Sequence, residues 1–168
     1  LYKSFVELYC QTMNNANAVK YYYFTDEYFE KLKTELGEKI RLFVVVKEDV
    51  LYNAALFFVT DSIISYHLSA RNLSFPKVPG TNYLLATMIK AFCGSEWKHL
   101  NLGGGTNGED KNPLLLFKQN FSKKTKDFII GKRIHLPDVY QEMKKVYVSI
   151  HGEDIIKDRS NILQFYRL

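Results

Sequence analysis

The sequence predicts an α+β fold, a mixed, mainly antiparallel sheet flanked by helices. Three apolar, β-branched segments occupy residues 41–48, 53–60 and 63–70, with only short polar breaks between them. This spacing is typical of an antiparallel meander. Segments with helical periodicity precede the meander, and helical segments also separate the strands that follow it. The predicted order is helix, helix, three strands, helix, strand, helix, strand, helix.

The segments before the meander predict two helices. Residues 1–13 carry apolar side chains near helical spacing. Thr25 is a typical N-cap for a second helix over residues 25–36, and Gly37 follows its last turn. Between the helices, YYYF at residues 21–24 predicts a short extended piece.

The segments after the meander predict helices and strands in alternation. Thr81 or Asn82 is a suitable cap for a helix that ends at Gly94. A strand at residues 97–102 and a helix beginning at Asn112-Pro113 follow. The last predicted elements are a strand at residues 127–136 and a helix that begins at Asp138, with Gln141 completing a capping-box-like pair.

Composition indicates a globular protein with anionic partners. The chain has 168 residues, 46% of them apolar, and we expect one domain over residues 1–168. A net charge of +5 favours phosphates, cofactors or RNA, although a mildly basic protein without such partners fits the charge equally well. Residues 118–133 form a local basic segment, with six basic residues and one acid.

Compartment and chain ends are also expectations at this stage. The two cysteines show no metal or redox spacing, so we expect a reduced cytoplasmic protein without a metal. No apolar run approaches the roughly 18–20 residues of a membrane span. Because the chain begins with Leu1 instead of Met, we expect a processed product or a fragment of a longer, two-domain chain.

Three glycines, Gly103, Gly105 and Gly108, match the spacing G-x-G-x-x-G of a dinucleotide-binding turn. A Rossmann turn requires the helix to start at the glycines, whereas three residues, two of them acidic, separate Gly108 from Asn112-Pro113. A P-loop is excluded because Glu109 stands at the lysine position. The glycines therefore indicate a bend beside an open cleft or, alternatively, a plain tight turn.

Four segments together resemble a known superfamily: YHLSA, NYLLATMIKAF, KHLNLGGGTNGED and LLLFKQNFSK. They are similar to the GNAT acyltransferases and, more narrowly, to the branch related to the Fem peptidoglycan bridge-forming aminoacyltransferases. The resemblance implies a GNAT-like acyltransferase fold, with a sheet splayed open in the middle and an acyl donor in the gap. It also implies that the donor pyrophosphate lies at the helix N-terminus near Thr81.

The resemblance leaves the donor open between acyl-CoA, such as acetyl-CoA, and aminoacyl-tRNA. The usual Q/R-x-x-G-x-G/A loop of the superfamily is not intact, since only Arg71 and Gly80 remain and they lie too far apart. Fem-type enzymes, which take aminoacyl-tRNA, also lack that loop. This departure favours their branch.

Two residues are candidates for catalysis. The resemblance implies that Lys118, in the FK motif, stabilises developing negative charge or binds the tRNA end; the alternative is a solvated helix lysine. His67 lies on the third predicted strand, where it and Tyr66 point to opposite faces, and it is a candidate base or substrate contact, or else a structural residue. The candidates for donor binding are Arg71, Gly80, Thr81 and Asn82, and those for substrate binding are Tyr66, Ser69, Gly104, Gly105 and Phe117.

The sequence thus predicts an N-acyltransferase that moves an acyl or aminoacyl group from acyl-CoA or aminoacyl-tRNA to an amine-bearing acceptor. One alternative is a non-catalytic GNAT-like module, or half of a site completed by a second GNAT-like domain. Another is a general RNA-binding domain, which rests on the basic segment alone.

Overall fold

The computed structural model describes residues 1–107, 109–154 and 164. It divides into two compact units, Leu1–Lys124 and Thr125–Leu168, which are described separately. The expectation of a single domain over the whole chain stays a prediction. Gly108, the last glycine of the G-x-G-x-x-G spacing, lies outside the described residues.

The first unit contains a four-stranded sheet with helices on both faces. Its helices are α1 (Tyr2–Asn15), α2 (Asp26–Leu36), α3 (Gly80–Phe92) and α4 (Pro113–Gln119). Its strands are β1 (Ile40–Lys47), β2 (Val50–Val59), β3 (Ile63–Arg71) and β4 (His99–Asn101). The strand order is β1-β2-β3-β4; the first three strands are antiparallel, and β4 is parallel to β3. The predicted mixed, mainly antiparallel sheet is confirmed.

Local rules correctly predicted two helix starts and one tight turn. The Thr25 hydroxyl accepts a hydrogen bond from the Tyr28 N–H at the start of α2. Asn112 caps α4, with Pro113 as the first helical residue. Between β1 and β2, Glu48 and Asp49 both have positive φ, as the two central residues of a type I′ hairpin turn require.

Three local predictions were wrong. Residues 20–22 form a 3-10 helix and not an extended piece. Helix α3 begins at Gly80 with Pro79 at the N-cap position, so Thr81 and Asn82 lie in the first turn and do not cap it; the Thr81 hydroxyl accepts a hydrogen bond from the Asn53 side chain. In the second unit, helix α5 (Pro137–His151) begins at a proline, so that Asp138 lies in the first turn and does not cap the helix.

The strand predicted at residues 127–136 is also absent, since this segment has no regular structure. Phe128 and Ile129 are 90% and 87% exposed. Aromatic and β-branched residues favour a strand only when a neighbouring strand accepts and donates its backbone hydrogen bonds. Among the described residues, no strand pairs with this segment, and composition alone does not reveal that.

Two apolar cores lie on opposite faces of the sheet in the first unit. The first lies between the sheet and α1 and α2, and it is built around the rings of Phe5, Tyr9 and Phe29. The second lies between the sheet and α3, and Phe117 and Phe121 of the α4 region pack against its edge. These two surfaces are called the α1/α2 face and the α3/α4 face below. None of the described helices is long and apolar enough to cross a membrane.

Candidate active site

The sheet opens between β3 and β4. Only three residue pairs join these strands, from Ile63↔His99 to Ser65↔Asn101. Strand β3 continues to Arg71, and residues 66–71 have no partner strand on that side within the described chain. Beyond Asn101 the pairing ends and the chain continues into the glycines at residues 103–105, which have no regular structure. The early end of this pairing agrees with the splayed sheet that the resemblance implied.

The glycine loop, residues 103–105, turns the chain away from β4. The N–H of Gly103 donates to the Asn101 side-chain oxygen at 2.8 Å, and Gly103 has a φ of +72°. That backbone conformation favours glycine over any residue with a Cβ. Gly105 is required for a different reason, because a Cβ there would lie 2.5 Å from Oδ1 of Asn112.

Asn112 joins the glycine loop to the start of α4. Its side chain is buried, with only 4% of the residue exposed. The amide nitrogen donates to the side-chain oxygens of Thr106 and Asn107 at 2.8 and 2.9 Å. The amide oxygen accepts from the N–H groups of Leu114 and Leu115 at 3.0 and 3.3 Å. One side chain therefore fixes where α4 begins relative to the loop.

Lys118 reaches back from α4 to the same loop. Its Nζ donates to the Gly104 carbonyl at 2.7 Å and lies 5.8 Å from the centre of the Tyr66 ring. Phe117 and Phe121 anchor the helix through an edge-to-face contact at 5.4 Å. Burial lowers the pKa of the Lys118 amine, because removal from water disfavours the ammonium form.

Tyr66 lies on the α3/α4 face at the point where β3 leaves β4. Its ring packs against Phe57 at a centroid distance of 5.3 Å. Burial raises the pKa of the Tyr66 hydroxyl, and a side-chain hydrogen bond from Ser69 partly offsets this. Of the predicted substrate contacts, Tyr66 and Gly104 therefore lie beside Lys118, and Ser69 is linked to them through Tyr66.

His67 lies on the opposite face of the sheet. Its Nε2 is hydrogen-bonded to the Tyr28 hydroxyl at 2.9 Å, and its ring packs at a tilt against Phe58, with the ring centres 4.2 Å apart. Burial lowers the pKa of His67 and so favours the neutral imidazole. As predicted, Tyr66 and His67 point to opposite faces, and the structure does not bring His67 together with Lys118.

The predicted donor-binding residues do come together. A shallow open cleft of about 230 Å³ lies at the N-terminus of α3, and its lining includes Arg71, Gly80, Thr81 and Asn82. Lys77 also lines the cleft, and no acidic side chain does so among the described residues. The unpaired N–H groups at the start of a helix and two nearby cations favour an anion.

Asn53, which the sequence did not single out, lies beneath this cleft. It is 1% exposed, and its amide nitrogen donates to the Thr81 hydroxyl at 2.9 Å. Its amide oxygen has no hydrogen-bond partner among the residues that the structure describes. A Cβ on Gly80 would lie 2.8 Å from the Cβ of Asn53, so glycine allows the helix to start this close to β2. An asparagine within the apolar segment NAALFFV was the available signal.

Comparison with solved structures identifies the fold. A possible acetyltransferase from Clostridium difficile 630 superposes with a TM-score of 0.58 at 11% identity, covering 80% of this chain and 92% of that one. A ribosomal-protein-alanine N-acetyltransferase from Brucella melitensis biovar Abortus 2308 gives 0.53 at 11% identity, with 77% and 93% covered. An aminoglycoside acetyltransferase from an uncultured soil metagenomic sample, in complex with sisomicin, gives 0.51 at 10% identity, with 77% and 87% covered.

The chain therefore has the fold of the GNAT acetyltransferases, as the resemblance implied. At sequence identities near 10%, these neighbours support the fold alone; they do not support assignment to the Fem-related branch. No protein-family profile matches the chain, and no curated protein does.

Proposed function

We propose that the protein is an N-acyltransferase that transfers an acyl group from an acyl-CoA to a primary amine. The observation that carries the proposal is the arrangement along β3. Where the strand leaves β4 it faces Lys118, and where it ends it borders the basic cleft at the N-terminus of α3. An extended donor can place its reactive end at the first point and its phosphates at the second.

The cleft supports coenzyme A as the donor because its chemistry is that of a phosphate site. Arg71 is able to pair two phosphate oxygens, and the start of α3 contributes N–H donors and the positive end of its dipole. The buried Asn53 amide donates to Thr81, which leaves the proton of that hydroxyl available to donate into the cleft.

Transfer to an amine replaces the thioester C–S bond with a C–N bond, and the amine proton ends on the thiolate. As the amine attacks, negative charge develops on the thioester carbonyl oxygen, and this oxyanion needs hydrogen-bond donors. An ammonium has three N–H donors, and Lys118 directs one to Gly104, so that two remain for the oxyanion or the leaving group. The lowered pKa of Lys118 makes its proton easier to transfer to a thiolate.

Aminoacyl-tRNA is the second candidate donor. It is supported by the position of Lys118, which contacts the glycine loop through the FK motif instead of extending into solvent. The incomplete Q/R-x-x-G-x-G/A loop also favours it, as in the Fem-like enzymes. In both cases the acceptor is an amine. A cytoplasmic location and a second GNAT-like domain that completes the site stay predictions.

A salt-controlled binding titration tests the donor directly. We would compare acetyl-CoA, a long-chain acyl-CoA, and charged and uncharged tRNA at two ionic strengths. We expect saturable binding of an acyl-CoA that weakens about tenfold in Arg71→Ala, the loss expected for one charged hydrogen bond. Arg41→Ala is the matched control, because Arg41 lies on β1 against Trp97, outside the cleft.

Turnover is then measured as thiol release with a panel of amines. Aminoglycosides and a peptide with an N-terminal alanine are first choices, because structural neighbours are named for these acceptors. Binding of charged tRNA alone would replace acyl-CoA with the second donor. Failure of every donor to bind a folded sample would overturn the proposal in favour of a non-catalytic module.

A further inference from the structure

Strand β3 contains one extra residue in its pairing with β2. Leu56 pairs with Leu68, but the next residue of β2, Phe57, pairs with Tyr66. His67 is therefore left without a partner on β2. Such a β-bulge interrupts the ladder of hydrogen bonds and changes the direction of the side chains around it.

The bulge changes which residues share a face of the sheet. His67 and Leu68 both lie on the α1/α2 face, the former against Phe58 and the latter in the buried core. In a regular strand, neighbouring residues would alternate between faces. As a result, Tyr66 and Ser69 lie on the α3/α4 face although they are three positions apart.

On the α1/α2 face, the side chain of the extra residue is held by a hydrogen bond to Tyr28. The Tyr28 hydroxyl and His67 Nε2 are 2.9 Å apart, and the Tyr28 ring stacks on Phe24 at 4.2 Å. The His67 ring in turn packs at a tilt against Phe58, the β2 residue that pairs with Ser65. Helix α2 is thereby hydrogen-bonded to His67, the residue of β3 that has no pairing partner on β2.

We propose that Tyr28 and His67 form a positioning pair, which holds the bulge and thereby sets the placement of Tyr66 and the adjoining β3 backbone beside Lys118. The proposal rests on the proposed acyl transfer for its effect on rate. Without the contact, the bulge is able to move along β3, and every residue that it passes changes face. His67 thus acts through the backbone, from the side of the sheet away from Lys118.

The test is Tyr28→Phe, which removes the hydroxyl and keeps the ring on Phe24. We expect kcat with acetyl-CoA and an amine to fall about tenfold, because small displacements at a reacting centre have large effects. We expect the acetyl-CoA Kd to stay within about twofold, since the cleft is held by Asn53 and Thr81. The double variant Tyr28→Phe/His67→Ala should be no slower than His67→Ala alone.

Tyr2→Phe is the matched control. Its hydroxyl donates to the Phe29 carbonyl of α2 at 2.8 Å within the same aromatic cluster, and not to β3. A merely structural role for Tyr28 would give both tyrosine variants similar losses of stability and no difference in kcat. That result, or additive effects in the double variant, would overturn the proposal.

Amide hydrogen exchange separates this proposal from the proposed function. In Tyr28→Phe, exchange should accelerate at residues 66–69 of β3 beyond that in Tyr2→Phe, whether or not the protein transfers acyl groups. If wild-type protein is inactive and this local acceleration is present, only the function has failed. If exchange in the two variants is the same, the positioning pair has failed.

Discussion

The two faces of the sheet in the first unit differ in how completely their aromatic rings are covered. On the α1/α2 face, Phe5, Tyr9 and Phe29 are at most 2% exposed. On the α3/α4 face, Phe57 is also fully buried, but the rings nearest Lys118, those of Tyr66, Phe117 and Phe121, are only partly buried. The same sheet therefore carries a closed face that contributes stability and a partly open face where a charged group and a bend in the chain meet.

This difference shows how a fold separates stability from chemistry. The closed face has a core of buried apolar side chains around Phe5, Tyr9 and Phe29. The open face has glycines, backbone groups without a partner strand among the described residues, and a half-buried amine. Truncation of a core ring on the closed face should therefore change mainly the free energy of unfolding. Removal of the Lys118 ammonium on the open face should change mainly the rate of transfer.

The largest expected effect is that of Phe29→Ala on the closed face. Phe29 is 1% exposed and makes edge contacts with Phe5 at 6.0 Å and Tyr9 at 5.7 Å. Its truncation should lower the free energy of unfolding by about 3–5 kcal/mol, measured by urea denaturation. Phe121→Ala on the open face should cost clearly less. Equal losses would mean that the two faces contribute alike.

Lys118→Met should have the next largest effect, and on rate alone. The variant keeps an unbranched stem and removes the ammonium, so that kcat should fall about 100-fold, equivalent to about 2.7 kcal/mol of transition-state stabilisation. The melting temperature should remain close to wild type. Lys123→Met, at an exposed lysine beyond α4, is the control. Retained turnover in Lys118→Met would remove Lys118 from the reaction.

Gly105→Ala should have an intermediate effect on stability. The added methyl group would meet Asn112 at 2.5 Å and so displace either the loop or the cap of α4. We expect a loss of about 1–3 kcal/mol in urea denaturation. Gly104→Ala is the matched control, because a Cβ there has no atom within 4 Å and the backbone φ is not positive. Similar losses at both positions would contradict the close contact.

The smallest expected effect is a pH dependence that arises on the closed face. Because burial lowers the pKa of His67, the unfolded chain binds a proton near its ordinary pKa of about 6.5 while the folded protein does not. Stability should therefore decrease as the pH falls from about 6.5 towards the lower folded pKa. His67→Gln should lose this part of the slope, as measured by melting temperature against pH. Parallel curves for the two proteins would contradict the assignment.

Sequence patterns were sufficient for those parts of the fold that depend on neighbouring residues. The caps at Thr25 and Asn112 and the hairpin at residues 48–49 follow from local stereochemistry, and the strand meander follows from composition and spacing. The strand predicted at residues 127–136 was wrong because a strand needs a neighbouring strand to pair with, and composition does not show whether one is present. The prediction at Thr81 was wrong for a similar, non-local reason: the helix already starts at Gly80, where it approaches Asn53 of β2 closely.

The sequence predicted several of the residues of the candidate site, but not which of them lie together on one face of the sheet. Lys118 and the glycines were identified from their motif, and their contact through the Gly104 carbonyl agrees with that grouping. The placement of His67 on the other face depends on the pairing register of β3 and on Tyr28. The importance of Asn53 depends on how close α3 starts to β2. Neither relation leaves a periodic signal in the sequence.

The hydrogen bonds of the Asn112 side-chain amide restrict which residues can stand at position 112 in related chains. Both of its donor positions and its oxygen are occupied, the oxygen twice. Aspartate would lack the two donors, glutamine would place the amide one methylene too far, and serine would be able to make only part of the set. Variation among related chains should therefore be free at the exposed loop positions on either side and nearly absent at residue 112. The conservation of that asparagine would reflect stereochemistry, even in relatives that act on different substrates.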